Sequence, residues 1–414
     1  MNIWLITIGE NLPLPGVTNR MLRTGVLAEC LQDQGHSVTW WSSTMNHMQK
    51  RHWYEKDTEV PVGENYRLLL LHGAGYERNV SPKRLLNHFQ IARSFERWAA
   101  RESVPDVIFC SLPTIELSVA AVNYAKANRV PIALDIRDLW PDAIVDLVPP
   151  WARPLSQLAL YPQAQQAKSA LRRADGLVGI SESYLEWGLQ NAGRARQEMD
   201  RIIPLGYRKV SPSARKVEAA WKELTDQGVS TCLPLCWFVG TFGRTYDLVT
   251  VLEAARQLEA SKTPVQFVLS GTGEDEAVLK ARAKGLSNVV FTGWMGAEKI
   301  AAMGQKSHLG LMAYAKGAPQ SLPNKLFEYL SYGLPILSSL HGETGELLKK
   351  NGCGMTYSSG DPSSLSSVVQ DMIANPNKPR EMGQRGLTLF SKEFSEEIVY
   401  GKLGDYLQGL IAKK

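Results

Sequence analysis

Lys325 and Glu328 stand in the stretch Pro319-Gln-Ser-Leu-Pro-Asn-Lys-Leu-Phe-Glu-Tyr-Leu-Ser-Tyr-Gly-Leu-Pro335. Asn324 and Lys325 fall in the first turn of an expected helix, and Glu328 lies about one turn on. Unpaired backbone N–H groups and the positive dipole end favour an anion at such a helix start. A lysine there opposes its own helix dipole unless something negative sits beside it. Glu328 can accept hydrogen bonds from paired hydroxyls, so the pair suits a phosphate next to a diol, as in the ribose and diphosphate of a nucleotide. The same residues also read as the solvated face of an ordinary amphipathic helix. Three other groups could do chemistry. Arg137, Asp138 and Asp142 follow an apolar run; carboxylates beside an arginine serve acid–base or electrostatic work, or form a structural ion pair that caps a helix, the reading preferred for Asp142. Gly16 with Arg20 and Arg23 could hold a phosphate or be an exposed helix face. Gly240-Thr-Phe-Gly-Arg244 is a glycine-rich turn with a charge attached.

Alternating elements must position these groups. The helix after Pro323 carries Leu326, Phe327, Leu330 and Tyr332; Gly333 stops it, Pro335 forbids its return, and 334–338 reads as a buried strand. At the N-terminus, a strand at 3–8, a loop, a helix at 19–34 and a strand at 37–42 form the opening of a Rossmann-like domain. Further strands are expected at 66–71, 106–110, 130–135, 174–180 and 201–205. A helix is expected over 114–128, a long one over 151–173, and another capped by Ser181. The segment 211–233 is polar and helix-like and marks a boundary. Alternation then restarts with strands at 235–239, 265–270, 289–292, 309–313 and 353–357. The turn at Gly240 is expected to feed a helix N-terminus as a phosphate cradle. Arg137 and Asp138 sit at a strand's C-terminal end, where open α/β sheets bind ligands.

The wording of these stretches resembles the family 4 retaining glycosyltransferases. Their Glu-x7-Glu pattern followed by Ala-x-Gly-x-Pro is matched with Glu328 in the second Glu position and Gln320, a departure, in the first. Pro-Asn-Lys-Leu-Phe-Glu-Tyr, Arg-Asp-Leu-Trp-Pro and Leu-Ala-Glu-Cys-Leu…Gly-His-Ser-Val-Thr-Trp-Trp resemble the subgroup that builds bacterial surface polysaccharides, similar to the fucosamine transferase of O-antigen clusters. The resemblance implies a GT-B fold: two Rossmann-like domains facing a central cleft, with 1–210 plus a crossover helix at 394–414 on the acceptor side and 211–393 on the donor side. It implies a hexosyltransferase-type enzyme that takes a UDP-linked N-acetylhexosamine. The donor would be held by Gly16, Gly243, Arg244, Gln320, Asn324, Lys325 and Glu328. Asn19, Arg20, Arg23 and His47 would serve the acceptor, and Asp138 with Arg137 the reaction centre. No metal and no cofactor beyond the sugar nucleotide is implied. The family usually has Val-Gly-Arg…Lys-Gly where this chain has Thr241 and Tyr246, so the diphosphate charge falls to Arg244 and Lys325. A nucleotide-sugar epimerase and a non-catalytic partner protein are the alternatives, the latter kept open by Gln320.

Composition sets bounds on these readings. The chain has 414 residues, 44% hydrophobic and 21% charged, with a net charge of +5. That fits two to three globular domains and suits anionic nucleotides or a membrane surface without implying nucleic acid. Five scattered cysteines read as free thiols in a reducing compartment rather than a metal site. The N-terminus lacks a signal-peptide core, and no apolar run is long enough to span a bilayer. The expectation is a cytoplasmic protein, at the inner face of the membrane, with a lipid-linked or oligosaccharide acceptor. The helix from Pro82, with Lys83, Arg84, Arg93 and Arg97, reads either as lying on an anionic membrane or as solvated and packed on its sheet. Trp40, Trp41, Trp53 and Tyr54 beside Lys50 and Arg51 add to the membrane reading.

Overall fold

The computed structural model describes residues 1–17, 20–78, 81–146 and 148–413. The chain divides into two compact units, Met1–Leu205 with Val399–Lys414 and Gly206–Ile398.

The first unit is a sheet covered on both faces. Its strands are β1 (Asn2–Ile6), β2 (Ser37–Ser43), β5 (Thr58–Gly63), β6 (Tyr66–Leu71), β7 (Val107–Leu112), β8 (Ile132–Ile136), β9 (Gly176–Gly179) and β10 (Arg201–Ile202); a small hairpin, β3 (Met45–Asn46) with β4 (Arg51–His52), stands apart. The order is β10-β9-β8-β7-β1-β2-β6-β5. Every pairing is parallel except β5 with β6. Parallel strands need helical crossovers, which bury both faces, so their sequences are near-continuously apolar. One face packs Trp4, Trp41, Ile91, Phe95 and Leu134; the other packs Leu5, Leu27, Trp40 and Phe109. Trp40 and Trp41 are therefore core residues on opposite faces, with Trp41 at 4.8 Å from Trp4 and 4.9 Å from Phe95, and give no support to a membrane surface. β5 was not expected: Pro61 confines it to the edge, where a missing N–H is tolerated.

Two helices differ from expectation. The first runs Arg23–Asp33, so Arg20 precedes it. The long helix expected at 151–173 is three pieces, Pro150–Ala152, Arg153–Ala159 and Tyr161–Arg173. Pro154 and Pro162 each open a new piece, because proline suits a first turn but interrupts a running helix. The helix Glu396–Ala412 supplies Tyr400, Leu403, Leu407 and Leu410 to the first unit's core. Among the described residues no helix is long and apolar enough to cross a membrane.

The second unit has β11 (Leu235–Val239), β12 (Gln266–Ser270), β13 (Val289–Gly293), β14 (Leu309–Met312), β15 (Ile336–Ser338) and β16 (Gly354–Thr356), all parallel. Their order, β13-β12-β11-β14-β15-β16, is the doubly wound 3-2-1-4-5-6 arrangement. The order reverses between β11 and β14, and the loops leaving those strands open a crevice at their C-terminal ends, where such sheets bind ligands.

Candidate functional site

In the second unit the helix Asn324–Ser331 lies at that switch point. Tyr329 fixes it there. Its hydroxyl is 3.1 Å from the Trp237 carbonyl, 3.2 Å from the Leu311 carbonyl, and accepts the Val239 N–H at 3.2 Å. One phenol thus ties the helix to β11 and β14 together. Pro323 stands at the N-cap and has no side-chain acceptor to give, which leaves the helix start to a ligand.

Lys325, the second residue of the helix, is buried. Its ammonium donates to the Val239 carbonyl and lies 3.9 Å from the Phe238 ring centroid and 4.2 Å from that of Tyr246. Burial pushes its pKa down to about 7, against the pull of Glu328, which raises it. A Cβ on Gly240 would come within 2.5 Å of Nζ, and one on Gly271 within 1.7 Å of the Gly240 carbonyl. These two glycines let the turns after β11 and β12 close over the ammonium. Glu328 is buried one turn along the same helix. Gln320 is half-buried in the loop before it, and its Oε1 is enclosed with no hydrogen-bond partner.

The other donor-side residues are placed less centrally. Asn324 is exposed at the helix start. A Cβ on Gly243 would meet the Glu274 carboxylate at 3.6 Å, an ordinary contact. Arg244 is 93% exposed and faces Glu274 at 3.7 Å, at the outer edge of the turn rather than beside the buried Lys325. The expected cradle feeding a helix start also changes. The next helix begins at Leu248, and Asp247 caps it by accepting the N–H and hydroxyl of Thr250 at 3.2 and 2.7 Å. An acidic cap occupies the place that an anion would need.

In the first unit the predicted residues separate into two clusters. Arg23 is buried: it donates twice to Asp135, at 2.9 and 3.0 Å, and to the Pro204 carbonyl at 2.6 Å. Arg137 donates to Asp135 at 2.6 Å, to Thr24 at 2.9 Å and to Glu10. Burial alone would raise the Asp135 carboxyl, but Arg23 and Arg137 overcome it and hold it below the usual range. Two arginines are thus locked to two carboxylates, which makes Arg23 an interior group rather than an exposed acceptor ligand. Arg137 likewise acts from inside this network.

Asp138 belongs to the second cluster. It accepts from the Leu139 N–H at 2.9 Å and the Trp140 indole at 3.1 Å, and burial raises its pKa. Arg84 lies 4.5 Å from the Trp140 ring and 5.4 Å from the Tyr76 ring. His47 shares a 2.6 Å hydrogen bond with the Tyr76 hydroxyl. Burial, with Lys50 and Arg84 nearby, lowers the imidazole to about 4. The structure thus brings His47 and Asp138 to one rim. Asp142 accepts the Trp187 indole N–H at 2.7 Å. Gly16 and Arg20 are exposed, and Asn19 lies outside the described residues. Glu10, Asp135, Arg84, Tyr76 and Tyr329 were not singled out from sequence as site residues. The spacing of Arg84 and His88, one turn apart on an inward face, was the available signal for that cluster.

Residues 22–206 match the glycosyl transferase 4-like domain family, and residues 224–388 match the glycosyl transferases group 1 family. Each half of the chain thus matches a glycosyltransferase family model. The fold is GT-B. It is similar to sucrose-phosphate synthase from Thermosynechococcus elongatus, with TM-score 0.71 and 17% identity over 100% of this chain and 99% of that one. It is also similar to Anabaena HepE in complex with UDP, with TM-score 0.68 and 14% identity over 99% and 100%. In sequence, the amylovoran biosynthesis glycosyltransferase AmsK of Erwinia amylovora is 27% identical over 39% of this chain and 42% of its own. The O-antigen chain mannosyltransferase C of Escherichia coli is 25% identical over 58% and 62%. The chain spans less than two thirds of the length of the curated relatives it matches.

Proposed function

We propose that this protein is a retaining, metal-independent glycosyltransferase of hexosyltransferase type. It moves a sugar of the N-acetylhexosamine type from a UDP-linked donor to a polysaccharide precursor carried on a polyprenyl diphosphate. The observation that carries this reading is the buried Lys325 ammonium at an uncapped helix start in the switch-point crevice, with Glu328 one turn on. In the transfer, the bond from the anomeric carbon to the diphosphate oxygen breaks, an acceptor hydroxyl oxygen bonds to that carbon and gives its proton to the departing diphosphate, on which negative charge builds as the bond breaks. Lys325 and the N–H groups of the helix start stabilise that charge, the task a metal performs elsewhere. Glu328 holds the ribose and Gln320 faces the sugar, where an amide can still hydrogen-bond hydroxyls. Support comes from the two matched families, from relatives named for amylovoran and O-antigen assembly, and from a fold neighbour that binds UDP. Residence at the inner membrane face is part of the proposal. The helix Pro82–Ala99 exposes Leu86 and Phe89, with Arg93 at 4.9 Å from the Phe89 ring, and suits a peripheral contact.

The test is a melting-temperature panel of UDP, GDP, ADP and dTDP with magnesium or EDTA. A ligand that binds the native state must raise the melting temperature. The expected result is a shift with UDP that EDTA leaves intact and that Glu328→Ala removes. No shift with any diphosphate would favour a non-catalytic partner protein. Acceptor-free conversion of the nucleotide sugar to its epimer would favour an epimerase.

A further inference from the structure

We infer that the segment 148–166 of the first unit is a bilayer-docking surface, with Trp151, Leu155, Leu158 and Tyr161 entering the headgroup region of an anionic membrane. The inference rests on the reading above that the acceptor is carried on a membrane lipid. Trp151 is 83% exposed, Leu155 69%, Leu158 73% and Tyr161 59%. From 148 to 166 no residue is buried. The pieces Pro150–Ala152 and Arg153–Ala159 bury no side chain, and the helix Tyr161–Arg173 first reaches the core at Ala167. Positions 151, 155, 158 and 161 follow the spacing of one helical face. A helix of seven residues gains little from its own propensity, since isolated helices need roughly 12–15 residues to hold in water. Helices in folded domains make up the difference by burying an apolar face against the core. Here the apolar face is turned to solvent, and a contiguous exposed apolar patch marks a surface that meets something else.

Composition selects the occupant. Between Asp146 and Asp175 the sequence has Arg153, Lys168, Arg172 and Arg173 and no acidic residue. Arg172 donates to the Ala192 carbonyl and Arg173 to Asn123 Oδ1, both neutral groups. A tryptophan and a tyrosine bound the apolar face, with basic residues beyond. Amphipathic rings settle at a membrane–water interface, and cations there are drawn to anionic lipid. A second copy of the chain would meet the first through identical patches, which sets this acid-free surface against itself, and like charges in register disfavour that. The patch also lies close in the chain to the rim that holds Asp138. The helix Arg153–Ala159 packs against Asp142–Asp146, which begins four residues after Asp138. Docking through this surface sets that rim beside the leaflet that presents a lipid-linked acceptor.

The experiment is sedimentation of the full chain with vesicles of phosphatidylcholine, with and without phosphatidylglycerol, the UDP melting shift being measured in parallel. The wild type should sediment with the phosphatidylglycerol vesicles and more weakly with the neutral ones. Trp151→Gln, Leu155→Gln and Leu158→Gln should each weaken vesicle binding about ten-fold, the loss expected when one large apolar side chain no longer enters lipid. The melting temperature of the free chain and its UDP shift should stay unchanged, because these side chains are exposed in the free protein. Failure of the wild type to sediment with either vesicle would overturn the inference, as would unchanged sedimentation of the triple variant. Binding that is lost in Leu86→Gln/Phe89→Gln but kept in the triple variant would also overturn it and assign the contact to the helix Pro82–Ala99. So would a concentration-dependent dimer in light scattering that the triple variant abolishes while vesicle binding stays; the occupant would then be a second copy. A UDP shift without vesicle binding removes this surface and leaves the sugar-transfer reading standing. Vesicle binding that the triple variant loses, with no shift by any nucleotide diphosphate, does the reverse.

Discussion

Lys325 is a cation whose surroundings ask it to be neutral until an anion arrives. In the unfolded chain its ammonium titrates near 10.5; in the folded chain burial brings it to about 7. Across that window the unfolded state binds the extra proton, so this group's contribution to stability rises with pH from about 7 upward. A bound diphosphate reverses the preference and holds the proton. UDP binding at pH 8.5 should therefore take up close to one proton, and UDP affinity should fall by up to about ten-fold per pH unit between roughly pH 7.5 and 9. Calorimetry in buffers of different ionisation enthalpy reads the uptake directly, and Lys325→Met should flatten the profile. Zero uptake in the wild type would mean that Lys325 does not meet the diphosphate. Asp135 poses the opposite case, a carboxylate already satisfied by the buried Arg23 and the half-buried Arg137. Removing one partner of such a group leaves charge stranded, so Asp135→Ala should lower stability by about 3–5 kcal/mol in urea unfolding. A loss below about 1 kcal/mol would show that water solvates the network.

Of two helix starts beside the switch point of the second unit, that of Leu248–Ala260 carries a side-chain cap and that of Asn324–Ser331 does not. Asp247 closes the helix Leu248–Ala260 and also accepts the Gly360 N–H at 2.8 Å and the Ser359 hydroxyl at 3.1 Å. Asp247→Ala should cost about 1–2 kcal/mol through the lost cap, with Asp247→Asn recovering most of it, while the UDP shift persists because the open start belongs to Asn324–Ser331. Loss of the UDP shift at an intact melting temperature would place the diphosphate at the wrong helix. The cap was legible, since an Asp directly before the apolar run that opens at Leu248 is an N-terminal signature. Strand positions such as 235–239 and 66–71 were read correctly, because a strand buried on both faces declares itself as an apolar run bounded by turns. The same rule explains Trp40 and Trp41, whose adjacency meant burial on two faces. Arg23 was misplaced because its partner Asp135 is 112 residues away, and no local pattern reports a pairing of that range. The switch-point helix was legible for the opposite reason, as its cap position, lysine and glutamate all lie within one short stretch.

At the scale of the whole molecule, the chain ends by returning to its first unit. Val399, Tyr400, Leu403, Tyr406, Leu407 and Leu410 are all buried in the core that also holds Leu5, Leu27 and Trp40. The Tyr406 hydroxyl donates to the Met199 carbonyl at 2.9 Å. Burying a large apolar side chain is worth about 1.5–3 kcal/mol. Six of them approach the roughly 5–15 kcal/mol that separates a folded domain from an unfolded one. The last helix is therefore part of the first unit's foundation, although nearly two hundred residues of the second unit intervene in sequence. A chain ending at residue 398 should fail to yield a folded first unit and be recovered as aggregate. Leu403→Ala, which leaves the helix in place, should cost about 2–5 kcal/mol through the cavity it opens. Hydrogen exchange resolved by strand is the informative measurement: in Leu403→Ala the amides of β1 and β2 should lose protection, because their side chains line the same core. If residues 1–398 instead gave a soluble protein with β1 and β2 as protected as in the full chain, the helix would be an ornament on that core and its burial would carry no stability.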